Sequence, residues 1–164
     1  MTAMIKIIYL AGGCFWGMQA YFDGIQGVTK TEVGYANSLI ENPRYEDTHS
    51  DYAETIAVHY DSDQVPLSFI LEMYFKVVDP TILNRQGNDV GRSYRTGIYF
   101  TAPEDEKVIQ SIIASEQKKY ASPIVVEVMS LKNFYPAEEY HQKYLEKHPG
   151  GYCHISRSKI REAH

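Results

Sequence analysis

Cysteine is scarce in this chain: there are two in 164 residues, Cys14 and Cys153, near opposite ends. That excludes a disulfide-stapled scaffold, and in a reducing compartment a permanent bond between the two is not expected. No H-E-x-x-H or C-x-x-C pattern occurs, so the six histidines carry no metal-site spacing and no metal is expected. Positive charge is in deficit, 16 Lys and Arg against 21 Asp and Glu, and a net charge of −5 argues against nucleic acid as a partner. No apolar run approaches the ~20 residues of a membrane span. The N-terminal run is interrupted by Lys6 and leads straight into a glycine-bearing motif, so its removal as a signal peptide would take the first strand with it. With no repeat or low-complexity tract, the expectation is one cytoplasmic catalytic domain over residues 1–164.

Tryptophan occurs once, whereas 14 tyrosines stand against 6 phenylalanines. A core accepts that many phenols only where their hydroxyls find partners, so some are expected to line a polar cleft. The tryptophan lies in Gly12-Gly13-Cys14-Phe15-Trp16-Gly17. Ile7-Ile8-Tyr9-Leu10-Ala11 before it reads as a buried strand, and Met18-Gln19-Ala20-Tyr21-Phe22 after it as a helix with no breaker until Gly24. Two glycines at such a junction permit positive φ and close backbone approach. Cys14 then falls in the first helical turn, among backbone N–H groups without intrahelical partners. Those donors and the helix dipole favour thiolate and lower a thiol pKa from its usual ~8.5. The competing reading is a small buried hydrophobe. A phosphate site at this helix start is disfavoured, since no Lys or Arg lies between Lys6 and Lys30.

Further along, strands are expected over 28–35 and 54–60, the second with Ile56 and Val58 on one face. The aperiodic stretch 37–53 between them is long for a connection, and long ordered loops are usually functional. Leu67, Ile70, Leu71, Tyr74, Phe75 and Val78 recur at helical spacing from Pro66, and Asp79-Pro80 ends that helix. The polar, glycine-bearing connection 81–93 resembles a site loop. Then follow a strand over 94–100 and a helix to about 120 opened by a capping-box pattern at Thr101-Ala102-Pro103-Glu104. A strand over 124–131 and a helix over 137–148, stopped by Pro149-Gly150-Gly151, complete the pattern, with Cys153 on an irregular tail. The order β-α-β-β-α-β predicts an α+β fold, a ferredoxin-like (split βαβ) two-layer sandwich with a mixed sheet and helices on one side.

Residue types alone leave the proton donor open. Glu54 at a strand start reads by default as an exposed carboxylate. Tyr35 and Tyr94 at strand ends can reach a cleft or pack in the core. Asp89 in the glycine-flanked loop is an ordinary turn former.

The motif Gly13-Cys14-Phe15-Trp16-Gly17 resembles the signature of the A-class peptide methionine sulfoxide reductases. Val33-Gly34-Tyr35-Ala36, Asn42-Pro43-x-Tyr45-Glu46, Ala53-Glu54 and Asn84-Arg85-Gln86-Gly87-Asn88-Asp89-Val90-Gly91 are similar to the same family, in its order. So are Phe134-x-x-Ala137-Glu138-x-Tyr140-His141-Gln142-x-Tyr144-Leu145 and Pro149-x-Gly151-Tyr152-Cys153, and the likeness runs from about residue 5 to 155. The resemblance implies reduction of methionine S-sulfoxide, with Cys14 as nucleophile, Glu54 as proton donor and Cys153 as resolving thiol. It also implies that Tyr35 and Tyr94 hold the departing oxygen, that Asp89 supports the polar network, and that Phe15 and Trp16 enclose the S-methyl group. Thioredoxin is the implied reductant, and no cofactor is required. The chain departs from the family pattern in a shorter loop at 47–52, in Tyr52 where a histidine is usual, and in Ala36-Asn37-Ser38 for Ala-Gly-Gly. Two other classes remain open: a thiol peroxidase using the same cysteines, and a non-catalytic aromatic cage for methylated cations.

Overall fold

The computed structural model describes residues 4–151, 155, 159 and 160. Its sheet begins with β1 (Ile5–Gly12) and β2 (Val28–Ala36), connected by helix α1 (Phe15–Asp23). β3 (Ala53–Asp61) and helix α2 (Leu67–Phe75) follow, then a two-residue hairpin, β4 (Arg85–Gln86) with β5 (Asp89–Val90). The chain continues through β6 (Thr96–Phe100), helix α3 (Asp105–Gln117), β7 (Glu127–Ser130), β8 (Phe134–Pro136) and the short helix α4 (Tyr144–Lys147). Six strands form one sheet in the order β7-β6-β1-β3-β2-β8, antiparallel except for the β6–β7 pair. The class is α+β with a mixed sheet, as expected, and the sheet has six strands, with β7 and β8 at its edges.

Period-2 alternation assigns the two faces. Ile8 and Leu10 of β1, Val33 and Tyr35 of β2, and Ile56 and Val58 of β3 turn to one side. There they meet Phe15, Met18 and Phe22 of α1 and Ile70, Leu71 and Tyr74 of α2, all 1% exposed or less. On the opposite face Ala11, Ala36 and Ala53 pack with Tyr99 in a smaller cluster. Glu54 is in phase with Ile56 and Val58, so the strand carries it to the helix side.

Four local expectations are corrected. Thr101-Ala102-Pro103-Glu104 forms no capping box: α3 starts only at Asp105, which leaves Glu104 itself at the N-cap, with no side-chain cap bond. Tyr94 ends a 3-10 turn (Arg92–Tyr94) rather than opening β6. The strand placed over 124–131 is the four-residue β7. The helix placed over 137–148 is broken into a 3-10 turn (Glu139–His141) and the single turn α4. Ala137 N–H and the Gln142 amide serve the edge of β2 at Val33, the amide accepting from Val33 N–H and donating to its carbonyl. Lys143 then adopts φ 56° and donates its N–H to Gln19 Oε1 at 2.6 Å. His141 therefore sits in a 3-10 turn (Glu139–His141) and His148 caps α4, not on one helix. Beyond residue 151, Ile155 is buried and Ile160 packs on the main cluster, whereas Cys153 lies outside the described residues.

Candidate active site

The site is assembled where β1 hands over to α1. Gly13 takes φ 89°, the left-handed region open to glycine. At Gly12 the constraint is contact: a Cβ there would lie 2.6 Å from Val78 Cγ1 and 2.9 Å from Met18 Cε. These two residues bring Cys14 to the N-cap of α1, where it is 7% exposed. The first N–H after it, that of Phe15, donates to Glu54 Oε1 at 3.2 Å. A residue 39 positions away thus holds the helix start, and its carboxyl group lies beside the cysteine's own helix turn.

Glu54 is 1% exposed, which overturns its reading as a surface carboxylate. Burial pushes its carboxyl from an ordinary 4.5 up to about 8; the Phe15 N–H opposes the rise and Asp89 adds to it. A protonated carboxylic acid at neutral pH is the form a proton donor needs.

Tyr35 is the register partner of Glu54 across β2 and β3, so both side chains share a face. Its ring lies 4.5 Å from that of Tyr52 and 5.8 Å from that of Phe15. Burial holds its hydroxyl far above the usual range, and Glu138 adds to the effect by accepting its proton at 2.7 Å. Tyr94 comes from the other side. It lines a cavity of about 410 Å³ with Tyr45, Tyr52, Glu54 and residues 90–93. Tyr45 and Tyr94 hydrogen-bond through their side chains, and Cys14, Glu54 and Asp89 lie within electrostatic reach of Tyr45. The structure therefore brings together Cys14, Glu54, Tyr35, Tyr94 and Asp89.

The aromatic pair divides. Phe15 is wholly buried, packing on Tyr35 and on His141 at 5.2 Å. Trp16 is half-buried, stacked on Tyr144 with 3.8 Å between ring centroids. Its Nε1–H donates to His141 Nδ1 at 3.0 Å, so the neutral imidazole carries its proton on Nε2. Burial lowers the His141 pKa below the ordinary 6.5, against the pull of Glu138. A depressed pKa means that the contribution of His141 to stability is full above 6.5 and is lost as pH falls through the lower folded value. Protonation removes the acceptor for Trp16. The emission of the single tryptophan is accordingly expected to change in an acid titration whose midpoint lies below 6.5, and His141→Phe to abolish that step. A step unchanged in His141→Phe would remove His141 as the cause.

Glu138, His141, Tyr144, Tyr45 and Tyr52 stand in or beside the motifs read from the sequence, but none of them is assigned a site role there. Their partners are 103 residues away for Tyr35–Glu138 and 125 for Trp16–His141, separations that no local pattern encodes. The departures from the family pattern are accommodated structurally. Asn37, where glycine is usual, has φ 54°, a region asparagine tolerates, and its Oδ1 accepts the Lys132 N–H. The short loop at 47–52 is held from inside by Tyr52, whose hydroxyl donates to the Tyr45 carbonyl at 2.6 Å. Outside, Arg92 grips the Asp51 carboxylate with two bonds of 2.8 and 3.0 Å. Among the described residues, no group of three His, Cys, Asp or Glu side chains could hold a metal, and no helix is long and apolar enough to cross a membrane.

Comparison with known proteins gives the same direction. The peptide methionine sulfoxide reductase family model matches residues 6–164. Peptide methionine sulfoxide reductase MsrA of Clostridium acetobutylicum is 55% identical over 162 residues, covering 97% of this chain and 99% of its own length. Among solved structures, reduced Mxr1 from Saccharomyces cerevisiae superposes with a TM-score of 0.88 at 34% identity, over 93% of this chain and 91% of Mxr1. Mxr1 in complex with Trx2 superposes with a TM-score of 0.63 at 27% identity, covering 88% of this chain and 89% of that one. The extent of these matches leads to one assignment: the chain belongs to the peptide methionine sulfoxide reductase family, whose members are oxidoreductases.

Proposed function

We propose that this protein reduces the S epimer of methionine sulfoxide, free or in proteins, as a single cytoplasmic catalytic domain over residues 1–164. The observation that carries the proposal is the buried Glu54, bonded to the N–H of the residue after Cys14 and held largely protonated at neutral pH. Cys14 thiolate attacks the sulfoxide sulfur, which is electrophilic because the oxygen withdraws its electrons. Glu54 delivers a proton to that oxygen, with Tyr35 and Tyr94 hydrogen-bonding it and Asp89 supporting the polar network. The transient bond between the two sulfurs and the S–O bond of the substrate break as the hydroxyl passes to the Cys14 sulfur, so methionine leaves and Cys14 becomes a sulfenic acid. Cys153 then attacks the Cys14 sulfur, water departs, and a Cys14–Cys153 disulfide forms. Two electrons from an external dithiol reopen it. The solved complex of a relative with Trx2 supports thioredoxin as that dithiol. Trp16, held by His141 and Tyr144, is the apolar surface for the S-methyl group, and Phe15 backs it from the core. We also read β6-β1-β3-β2, connected by α1 and α2, as a ferredoxin-like unit carrying this site.

Incubation of the protein with each epimer of a blocked methionine sulfoxide and dithiothreitol tests the activity. Methionine from the S epimer alone is expected; turnover of hydroperoxide with no attack on sulfoxide would identify a thiol peroxidase instead. Cys153→Ser is expected to release about one methionine per chain, to leave Cys14 as a trappable sulfenic acid and to stall with thioredoxin, while small thiols partly restore turnover. Full thioredoxin-linked turnover in that variant would remove Cys153 from the resolving role.

A further inference from the structure

One carboxylate stands between three parts of the site. Tyr35 is 0% exposed, and its hydroxyl donates to Glu138 Oε1 at 2.7 Å. Glu138 Oε2 accepts the Tyr45 N–H at 3.4 Å and the Tyr140 hydroxyl at 3.2 Å. Glu138 thereby links β2, the connection over 37–52 and the segment after β8. Its own backbone is anchored on both sides, by Ala137 N–H on the Val33 carbonyl and by the Gln142 amide on both polar groups of Val33.

We propose that Glu138 is a positioning residue of this site: it fixes the Tyr35 hydroxyl and holds Tyr45 against the cavity shared with Glu54 and Tyr94. The inference rests on the sulfoxide-reducing function proposed above. A carboxylate only accepts hydrogen bonds, so in the substrate-free site Glu138 orients the Tyr35 hydroxyl. The Tyr35 ring in turn backs Phe15, the residue whose N–H holds Glu54. Through the Tyr45 main chain the same carboxylate sets Tyr45, the side-chain partner of Tyr94.

The test is a double-mutant cycle on single-turnover sulfoxide reduction. Glu138→Gln and Tyr35→Phe are each expected to lower the limiting rate about 10-fold, as a misplaced catalytic group does, with the half-saturating sulfoxide concentration changed less than about 3-fold. The double variant is expected to be no more than about 2-fold slower than the slower single one, because both changes break one link. Glu138→Gln with Tyr94→Phe, which removes a donor, is expected to multiply the losses. Glu138→Asp keeps the charge but cannot span Tyr35 and Tyr45 together, and serves as a second variant with the same expected coupling. Multiplicative losses for Glu138→Gln with Tyr35→Phe, or a Glu138→Gln rate within about 2-fold of wild type, would overturn the role of Glu138 alone. A wild-type protein inert toward sulfoxide would overturn the proposed function and this role together.

Discussion

A protein carrying Cys14→Ser is expected to form no methionine from methionine sulfoxide, even with enzyme in excess and a single turnover observed. The position itself survives the change. Cys14 is the N-cap of α1 and makes no side-chain cap bond, while serine is among the preferred N-cap residues. Helix and fold are therefore expected to persist, with stability equal to wild type or about 0.5–1 kcal/mol higher. What is lost is the nucleophile: donors at a helix start favour a thiolate, whereas an alcohol is barely ionised near neutral pH. Removing a covalent nucleophile costs at least about 10⁴ in rate in comparable enzymes. Rapid-quench assays on the variant, beside a thermal melt confirming the fold, check this. Methionine appearing within about 100-fold of the wild-type rate would place the nucleophile elsewhere.

The second large effect is expected at Glu54, and it has two opposite faces. Glu54→Gln keeps the shape and can still accept the Phe15 N–H, but it cannot transfer a proton. Single-turnover reduction is expected to slow by about 10²–10⁴. The wild-type rate should fall as pH rises through about 8, where the acid form of Glu54 disappears; the glutamine variant should lack that limb. Stability moves the other way. The folded pKa lies above the ordinary 4.5, so the folded protein holds a proton that the unfolded chain has released. The stability associated with Glu54 is full below 4.5 and is lost as pH rises through about 8. From 4.5 to 7, at about 1.4 kcal/mol per pH unit, the loss reaches about 3 kcal/mol as an upper bound, which the glutamine side chain avoids. Urea unfolding at pH 5 and 7 should therefore show the variant gaining on wild type as pH rises. A glutamine variant with wild-type rate, the same pH profile and no such gain would make Glu54 a mere cap for α1. Activity obtained at the expense of stability is the usual mark of a buried catalytic group.

Much of the scaffold was legible in the chain before folding, because it depends on neighbours in sequence. A short apolar run marked β1, β-branched and aromatic residues marked β2, the shared face of Ile56 and Val58 marked β3, helical spacing marked α2, and the glycine pair before Cys14 marked a tight strand-to-helix turn, now seen at φ 89° for Gly13 and in the contact limit at Gly12. The motif order pointed to the family. A sharper use of alternation would also have turned Glu54 inward, since it is in phase with Ile56 and Val58. The failures came where a local pattern had to compete with distant partners. The segment over 137–148 has helical composition, yet Val33 and Gln19, more than 100 residues earlier, take the backbone and amide bonds that a helix would have used. Thr101-Ala102-Pro103-Glu104 has the letters of a cap, but the helix starts one register later, at Asp105.

The tertiary structure alone decided the chemistry of the site. Cys14 could be singled out from its own neighbours, but Glu54, the proposed proton donor, could not, because a glutamate becomes an acid at neutral pH only when its surroundings remove water. Those surroundings are gathered from β1, α1, β2 and the loop carrying Asp89. In the same way the sequence presents Tyr35 as one tyrosine among 14, and only folding delivers Glu138 to its hydroxyl. Strand periods and turn residues are local properties of a chain, whereas desolvation and hydrogen-bond partnership belong to the packed assembly, and for this protein the first determined the scaffold and the second the catalytic character of the groups it holds.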